Sequence, residues 1–268
     1  MKLKDKVIVV TGATGILGEA FIDGLANNGA TVCVLGRNQK VAQERAQRII
    51  EKGGKAIALI ADVTNEADLI AARDLVLSTF GKIDGLVNAA GGNMPDAVVQ
   101  PEQDIFNLNM DALQQVMNLN LFGTLLPTQV FGRAIQESVG TGSIVNISSV
   151  APVQAITKVL GYSLAKSAID LYTKWFAVEL ARRYGDTIRI NGIVPGFFLT
   201  EQNRTLLTNS DESLTERGHL IIKNTPFKRF GNPDELSGAL VWLLSDDSKF
   251  VTGSNVTVDG GFTIFSGV

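Results

Sequence analysis

The chain contains one cysteine and one histidine in 268 residues. Transition-metal centres draw on clusters of those side chains, so no resident metal is expected. Cys33 has no internal partner for a disulfide. It lies in the apolar run TVCVL, where a thiol packs as a small hydrophobe in a reducing compartment. His219 stands in a polar stretch and reads as a surface or packing residue. Long apolar runs are also absent, and none approaches the ~18 residues of a membrane span. The N-terminus MKLKDKVIVV passes from charge straight into an apolar strand, without the apolar region and cleavage site of a secretory leader. Excess positive charge is missing too: a formal charge of −3 argues against nucleic acid or an anionic membrane as partner. These absences leave a cytoplasmic globular protein that acts on a small molecule. No repeat, low-complexity tract or composition shift splits the sequence, so residues 1–268 are expected as one domain.

What is present is ordinary in amount and specific in order. Apolar residues make up 45% and charged ones 19%, enough to bury a sizeable core at this length. Strands are expected at 7–10, 31–35, 56–60, 85–87, 144–147, 188–193 and 255–258. Helices are expected at about 19–27, 39–52, 67–80, 111–136 (bent or broken at Pro127), 162–183 and from Pro233 onward. This alternation implies an α/β fold: a single Rossmann-type, doubly wound domain with a seven-stranded parallel sheet and helices on both faces. The polar stretch 197–226 reads as a substrate lid. The apolar tail 259–268 reads as a segment that docks on its own domain or on a neighbouring subunit.

Chemistry concentrates in 142–166, GSIVNISSVAPVQAITKVLGYSLAK. A β-branched run ends in Ser148 and Ser149. Tyr162 follows thirteen residues after Ser149, and Lys166 four after that. Alanine and leucine around that pair favour helix, and an i, i+4 spacing puts phenol and ammonium on one face. A cation beside a phenol favours phenolate and eases movement of its proton near neutral pH. Tyr-x-x-x-Lys alone occurs in many helices by chance, so its company decides.

That company is a ligand-binding frame. TGATGILG at 11–18 is a glycine-rich strand-to-helix turn, in which main-chain amides can face a phosphate. Its spacing is not GxGxxG, so the dinucleotide fingerprint itself is not invoked. At the end of the second strand, where a carboxylate would hold the adenosine ribose hydroxyls, stand Gly36 and Arg37. Loss of the carboxylate admits a 2′-phosphate and a guanidinium can pair with it, so NADP is expected, with NAD as the alternative. Asp62 either accepts from adenine or caps the next helix. The small residues of NAAGG at 88–92 admit a flat ligand. Asn120, an asparagine among leucines, needs a hydrogen-bonding reason. Pro195-Gly196 stops the sixth strand, and Thr200 caps a helix or binds a carboxamide.

In this order and spacing, the glycine turn, NAAG at 88–91, Asn120, Ser149, Tyr162, Lys166, Pro195-Gly196 and Asp259-Gly260-Gly261 resemble the short-chain dehydrogenase/reductase family over essentially the whole sequence. The usual middle glycine falls at Ile16, with Gly15 one place earlier, as in the extended branch of that family. The resemblance implies hydride transfer between a nicotinamide and a carbonyl or carbinol. Asn120, Ser149, Tyr162 and Lys166 are then the catalytic set: Tyr162 moves the proton, Lys166 lowers its cost and holds the nicotinamide ribose, Ser149 binds the reacting oxygen, and Asn120 keeps a water-linked proton path. The implied cofactor surface is Gly12, Thr14, Gly15, Ile16, Leu17 and Gly18; Arg37 and Asn38; Asp62 and Val63; Asn88, Ala89, Ala90 and Gly91; Tyr162 and Lys166; and Pro195, Gly196 and Thr200. A homotetramer or homodimer is implied, with the helices at 111–136 and 162–183 as contact faces.

Within the family, NAAGGNMP, NLNLFGTLLPTQVF, PGFFLTEQNR and the terminal SGV are similar to a subgroup of D-mannonate oxidoreductases, or fructuronate reductases. Two positions depart from that subgroup: Met94 stands where histidine is usual, and Gly36 where aspartate is usual. A sugar acid needs cationic or amide partners for its carboxylate. Asn93, Gln202 and Arg204, with Ser149 and Tyr162, are the candidate substrate contacts. Gluconate 5-dehydrogenase and 3-oxoacyl-carrier-protein reductase are alternative activities, and a non-catalytic NAD(P)-binding regulator is the alternative of another class.

Overall fold

Seven short strands, mostly apolar, pair into one parallel sheet in the order β3-β2-β1-β4-β5-β6-β7 in a computed structural model of the protein. The structure describes residues 1–200, 204 and 206–267. The strands are β1 (Val7–Thr11), β2 (Thr31–Gly36), β3 (Lys55–Ile60), β4 (Gly85–Asn88), β5 (Gly142–Ile147), β6 (Ile188–Pro195) and β7 (Asn255–Val258). Each sequence-expected strand is present, and most extend by one or two residues. The central ones are apolar on both faces because both faces are covered. Along β1, Ile8 and Val10 join one core, with Phe21, Ile22 and Leu25. Val7 and Val9 join the other, with Leu69, Val76, Phe131 and Ile135.

The helices are α1 (Ile16–Asn27), α2 (Gln39–Glu51), α3 (Glu66–Phe80), α4 (Met110–Met117), α5 (Gly123–Ser138), α6 (Leu160–Tyr184), α7 (Glu216–Asn224) and α8 (Ser237–Leu244). Local signals set their ends. Asn65 accepts from the Ala67 and Asp68 amides and starts α3, and Gly81, in the left-handed region at φ 75°, ends it. Thus Asn65 takes the cap for which Asp62 was the other candidate. Asn232 and Glu235 form a reciprocal capping box just before α8.

The long helical stretch is interrupted, but not at Pro127, which lies inside α5. Residues Asn118–Phe122 form a π-turn, in which the Gly123 N–H donates to the Asn118 carbonyl, five residues back. The tail turns back onto its own domain: Phe262 is buried and meets Phe197 edge-on at 5.0 Å. Among the described residues no helix is long and apolar enough to cross a membrane, and no group of His, Cys, Asp and Glu could hold a metal. Cys33 is free and buried, and burial pushes its thiol far above the ordinary value.

Candidate active site

The strand order reverses between β1 and β4, and such a switch point opens a crevice at the carboxyl ends of parallel strands. A cleft of about 620 Å³ lies there. Its floor is the turn after β1. Gly12 has φ 65°, and a Cβ on it would stand 2.7 Å from the Ala89 carbonyl; a Cβ on Gly18 would stand 2.2 Å from the Gly12 carbonyl. The main chains therefore touch where a side chain would otherwise fill the cradle, which fits a dinucleotide phosphate. The Thr11 hydroxyl accepts from the Ala89 and Ala90 amides at 3.1 and 3.2 Å, binding the two turns together. Arg45 on α2 braces the same turn from outside. It donates to the Ala13 and Gly15 carbonyls at 2.5 and 2.7 Å and pairs with Glu19 at 2.8 Å. Sequence reading missed Arg45, which looks like one more charge on an amphipathic helix.

Of the expected cofactor residues, Gly12, Thr14, Gly15, Ile16, Leu17, Gly18, Arg37, Val63, Ala89, Ala90, Gly91, Tyr162, Lys166, Pro195, Gly196 and Thr200 line the cleft. Three do not. Asn38 caps α2 by accepting from the Val41 amide. Asn88 is buried between strands, where it donates to Thr128 Oγ1 at 2.8 Å and Asn146 Oδ1 at 2.9 Å. Asp62 stands behind Arg37, 3.6 Å from its guanidinium. Partial burial pushes the Asp62 carboxyl up, but two bonds from Thr64 and the Arg37 charge outweigh it and hold the group below its ordinary value.

The reacting corner joins β5 to α6. Ser149 and Tyr162 both line the cleft, and the Ser149 hydroxyl favours the ionised form of the phenol. The Lys166 ammonium donates to the Ile147 carbonyl at 2.7 Å and lies 5.5 Å from the Tyr162 ring centre. Burial pulls the lysine down to about 8, with Asp170 pulling the other way. Burial also pushes the Tyr162 phenol up, against the effect of Ser149. The Lys166 ammonium itself donates to a carbonyl and not to the phenol oxygen. Asn120 lies behind this corner and does not line the cleft. Its amide accepts from the Gly92 N–H at 3.0 Å and donates to the Gly92 and Val116 carbonyls at 2.7 and 2.8 Å. It thereby clamps the loop after β4. Gly91 must be small: a Cβ there would stand 2.6 Å from Asn120 Oδ1.

The expected substrate residues are more scattered. Ser149 and Tyr162 line the cleft, whereas Asn93 and Arg204 do not. The Arg204 N–H donates to the carbonyl of Thr200, a cleft residue, at 2.8 Å. Asn93 has a buried Oδ1 with no partner among the described residues. Gln202 lies outside the described residues. Met94 packs in a small cluster with Tyr162, Ala97, Ala112 and Val116.

A cradle for a dinucleotide, closed by a tyrosine, a serine and a lysine, is a hydride-transfer site in outline. The family model for Enoyl-(Acyl carrier protein) reductase matches residues 12–263. The chain belongs to the short-chain dehydrogenase/reductase family. It is 41% identical to the uncharacterized oxidoreductase UxuB of Bacillus subtilis, over 99% of this chain and 98% of that one. A candidate D-mannonate oxidoreductase from Haemophilus influenza, solved with bound NAD, superposes with a TM-score of 0.90 at 38% identity, covering 100% of this chain and 98% of that one. A gluconate 5-dehydrogenase from Burkholderia cenocepacia, in complex with NADP and tartrate, gives 0.86 at 33% identity, covering 98% and 97%. This family member is an NAD(P)-dependent oxidoreductase that acts on alcohol groups.

Proposed function

We propose that the protein interconverts D-fructuronate and D-mannonate and prefers NADP. The observation that carries the substrate is the full-length likeness, at a TM-score of 0.90, to the candidate D-mannonate oxidoreductase. The turn Gly12–Gly18 and the run Ala89–Gly91 would hold a nicotinamide cofactor, which when bound would supply or take the hydride at the carbonyl carbon. Tyr162 gives its hydroxyl proton to the carbonyl oxygen in reduction and takes it back in oxidation. Ser149, which lines the cleft with Tyr162, holds the same oxygen as charge develops. Lys166 places a positive charge beside both groups, and Asn120 fixes the loop that faces them. Arg204, with Asn93 and Gln202, receives the sugar carboxylate, and the 197–226 segment closes over it.

The cofactor preference rests on the end of β2. A Cβ on Gly36 would stand 2.7 Å from the Thr14 side chain, so Thr14 occupies the place of a ribose-binding carboxylate. The neighbouring Arg37 pairs with Asp62 at 3.6 Å but is largely open to solvent, where its guanidinium can meet a 2′-phosphate. Gluconate 5-dehydrogenase activity is the second reading, favoured by the NADP in the neighbour from Burkholderia cenocepacia. A homodimer or homotetramer is also proposed. Leu164, Leu171, Trp175 and Val178 form an exposed apolar stripe along α6, for which a second copy is the natural cover.

The test is steady-state turnover with NADPH and NADH against D-fructuronate and 5-ketogluconate. The proposal expects the largest kcat/KM with D-fructuronate and NADPH. Turnover of 5-ketogluconate alone would transfer the assignment to the second reading.

A further inference from the structure

Tyr162 and Lys166 do not end the polar face of α6. One turn further on, in the same i, i+4 register, comes Asp170, a half-buried carboxylate with no place in the proton transfer described above. Two neighbours from the sheet hold it. Ser148, from the end of β5, donates its hydroxyl to Asp170 Oδ1 in a short hydrogen bond. Asn255, from β7, favours the ionised form of the same carboxylate, while its own Oδ1 is buried with no partner among the described residues. Gly192 on β6 makes room for that arrangement, since a Cβ there would collide with Asn255 Oδ1. Residues from the end of β5 and from β7 thus converge on one acid, with β6 between them leaving room. Ser148 also lines the cofactor cleft, so the acid is one side chain away from it.

We infer that Asp170 is a positioning residue: held by Ser148 and Asn255, it is the counter-charge that keeps Lys166 an ammonium ion inside the closed site. Burial alone favours a neutral lysine amine, and the Ile147 carbonyl is a dipole rather than a charge. Asp170 is the charge that acts on Lys166 against burial. The groups acting on Asp170 are the Ser148 and Asn255 side chains and two cations of its own helix, Lys166 and the exposed Lys174. Burial pushes the Asp170 carboxyl up, and these four groups oppose it. Each of the two charges therefore favours the other. The two serines after β5 then have separate tasks: Ser149 meets the tyrosine and Ser148 meets the acid that steadies the lysine.

The experiment is Asp170→Asn in the full-length enzyme. Asparagine keeps the shape, and its amide can use the unpartnered Asn255 Oδ1. Two readouts are followed. In the cofactor-free protein, the Lys166 side chain is titrated by NMR with labelled lysine, its signal assigned through Lys166→Arg. In the oxidoreductase assay, the alkaline limb of kcat/KM for carbonyl reduction is measured. Loss of the counter-charge is expected to move both midpoints down by roughly one pH unit. Asp170→Glu should restore most of the shift, because it restores the charge. An unchanged Lys166 titration overturns the inference, even if activity falls, and so does an equal loss of activity at every pH. Should Asp170→Asn fail to fold, Asp170→Ser is held to the same two readouts. The NMR titration needs neither substrate nor cofactor, so its outcome is separate from the fate of the fructuronate assignment.

Discussion

The half of the sheet proposed to cradle the cofactor and the half proposed to carry the chemistry are built from different parts of the polypeptide. On the side of β1, β2 and β4, the ligand surface is largely main chain: the turn 12–18, Gly36 and the run Ala89–Gly92, brought together because side chains are absent. On the side of β5, β6 and β7, the work falls to side chains that meet from distant positions: Ser149 with Tyr162, and Asp170 with Ser148 and Asn255. The first half fails when an atom is added. The second fails when one is removed.

Mutations can break or sharpen that contrast. The largest effect is expected in the chemical half. Tyr162→Phe deletes one oxygen, and kcat should fall about 10³-fold while cofactor affinity, read by fluorescence titration, stays within a few-fold. In the cradle, Gly18→Ala adds one carbon at 2.2 Å from the Gly12 carbonyl. Cofactor affinity should fall at least ten-fold, and the melting temperature should drop by several degrees, as expected for about 1–3 kcal/mol of overpacking. A Gly18→Ala enzyme that binds cofactor normally and loses only kcat would erase the distinction between the halves.

Arg37→Ala tests a side chain placed within the main-chain half. If the guanidinium meets a 2′-phosphate, KM for NADPH should rise about ten-fold, a loss near 1.4 kcal/mol, with KM for NADH unchanged. Equal changes for both cofactors would leave Arg37 as a partner of Asp62 only.

The smallest effect is expected outside both halves. The Arg229 guanidinium, followed by the Asn232 amide, holds the Glu235 carboxyl down to about 2. Its folded value lies below its unfolded one, so its contribution is present above the unfolded value near 4.5 and is lost as pH falls towards 2. In Arg229→Gln, the melting temperature should therefore decline less steeply between about pH 4.5 and 2. The pair is exposed, so the change at neutral pH should be slight.

The contrast also explains what could be read in advance. The strands were legible because burial on both faces writes them as short apolar runs rich in β-branched residues, as in Val7–Thr11 and Thr31–Gly36. The cradle was legible because close approach of main chain requires glycine. Tyr162 and Lys166 were legible through one helical spacing. Arg45, Ser148 and Asp170 were not, since an arginine on a polar helix or an acid on a long one has no local mark until the fold supplies its partner. The irregular turn was misplaced at Pro127 for a related reason. Its partner is Gly92, 28 residues away from Asn120 in sequence.

That π-turn also bears on how the protein tolerates length change. It holds one residue more than an α-helical turn would need, so deletion of a single residue in 118–122 would let α4 and α5 merge into one unbroken helix. Helical propensity would gain from the merger. The wide turn absorbs the extra residue, so the helices on either side would keep their relative facing, but the path of the chain at Asn120 would change and its side chain would no longer meet Gly92 at both its amide and its carbonyl. Across homologous proteins, insertions and deletions should therefore collect in the loops on either side of this stretch and avoid the stretch itself, even though its sequence, NLNLF, carries no catalytic side chain that reaches the cleft.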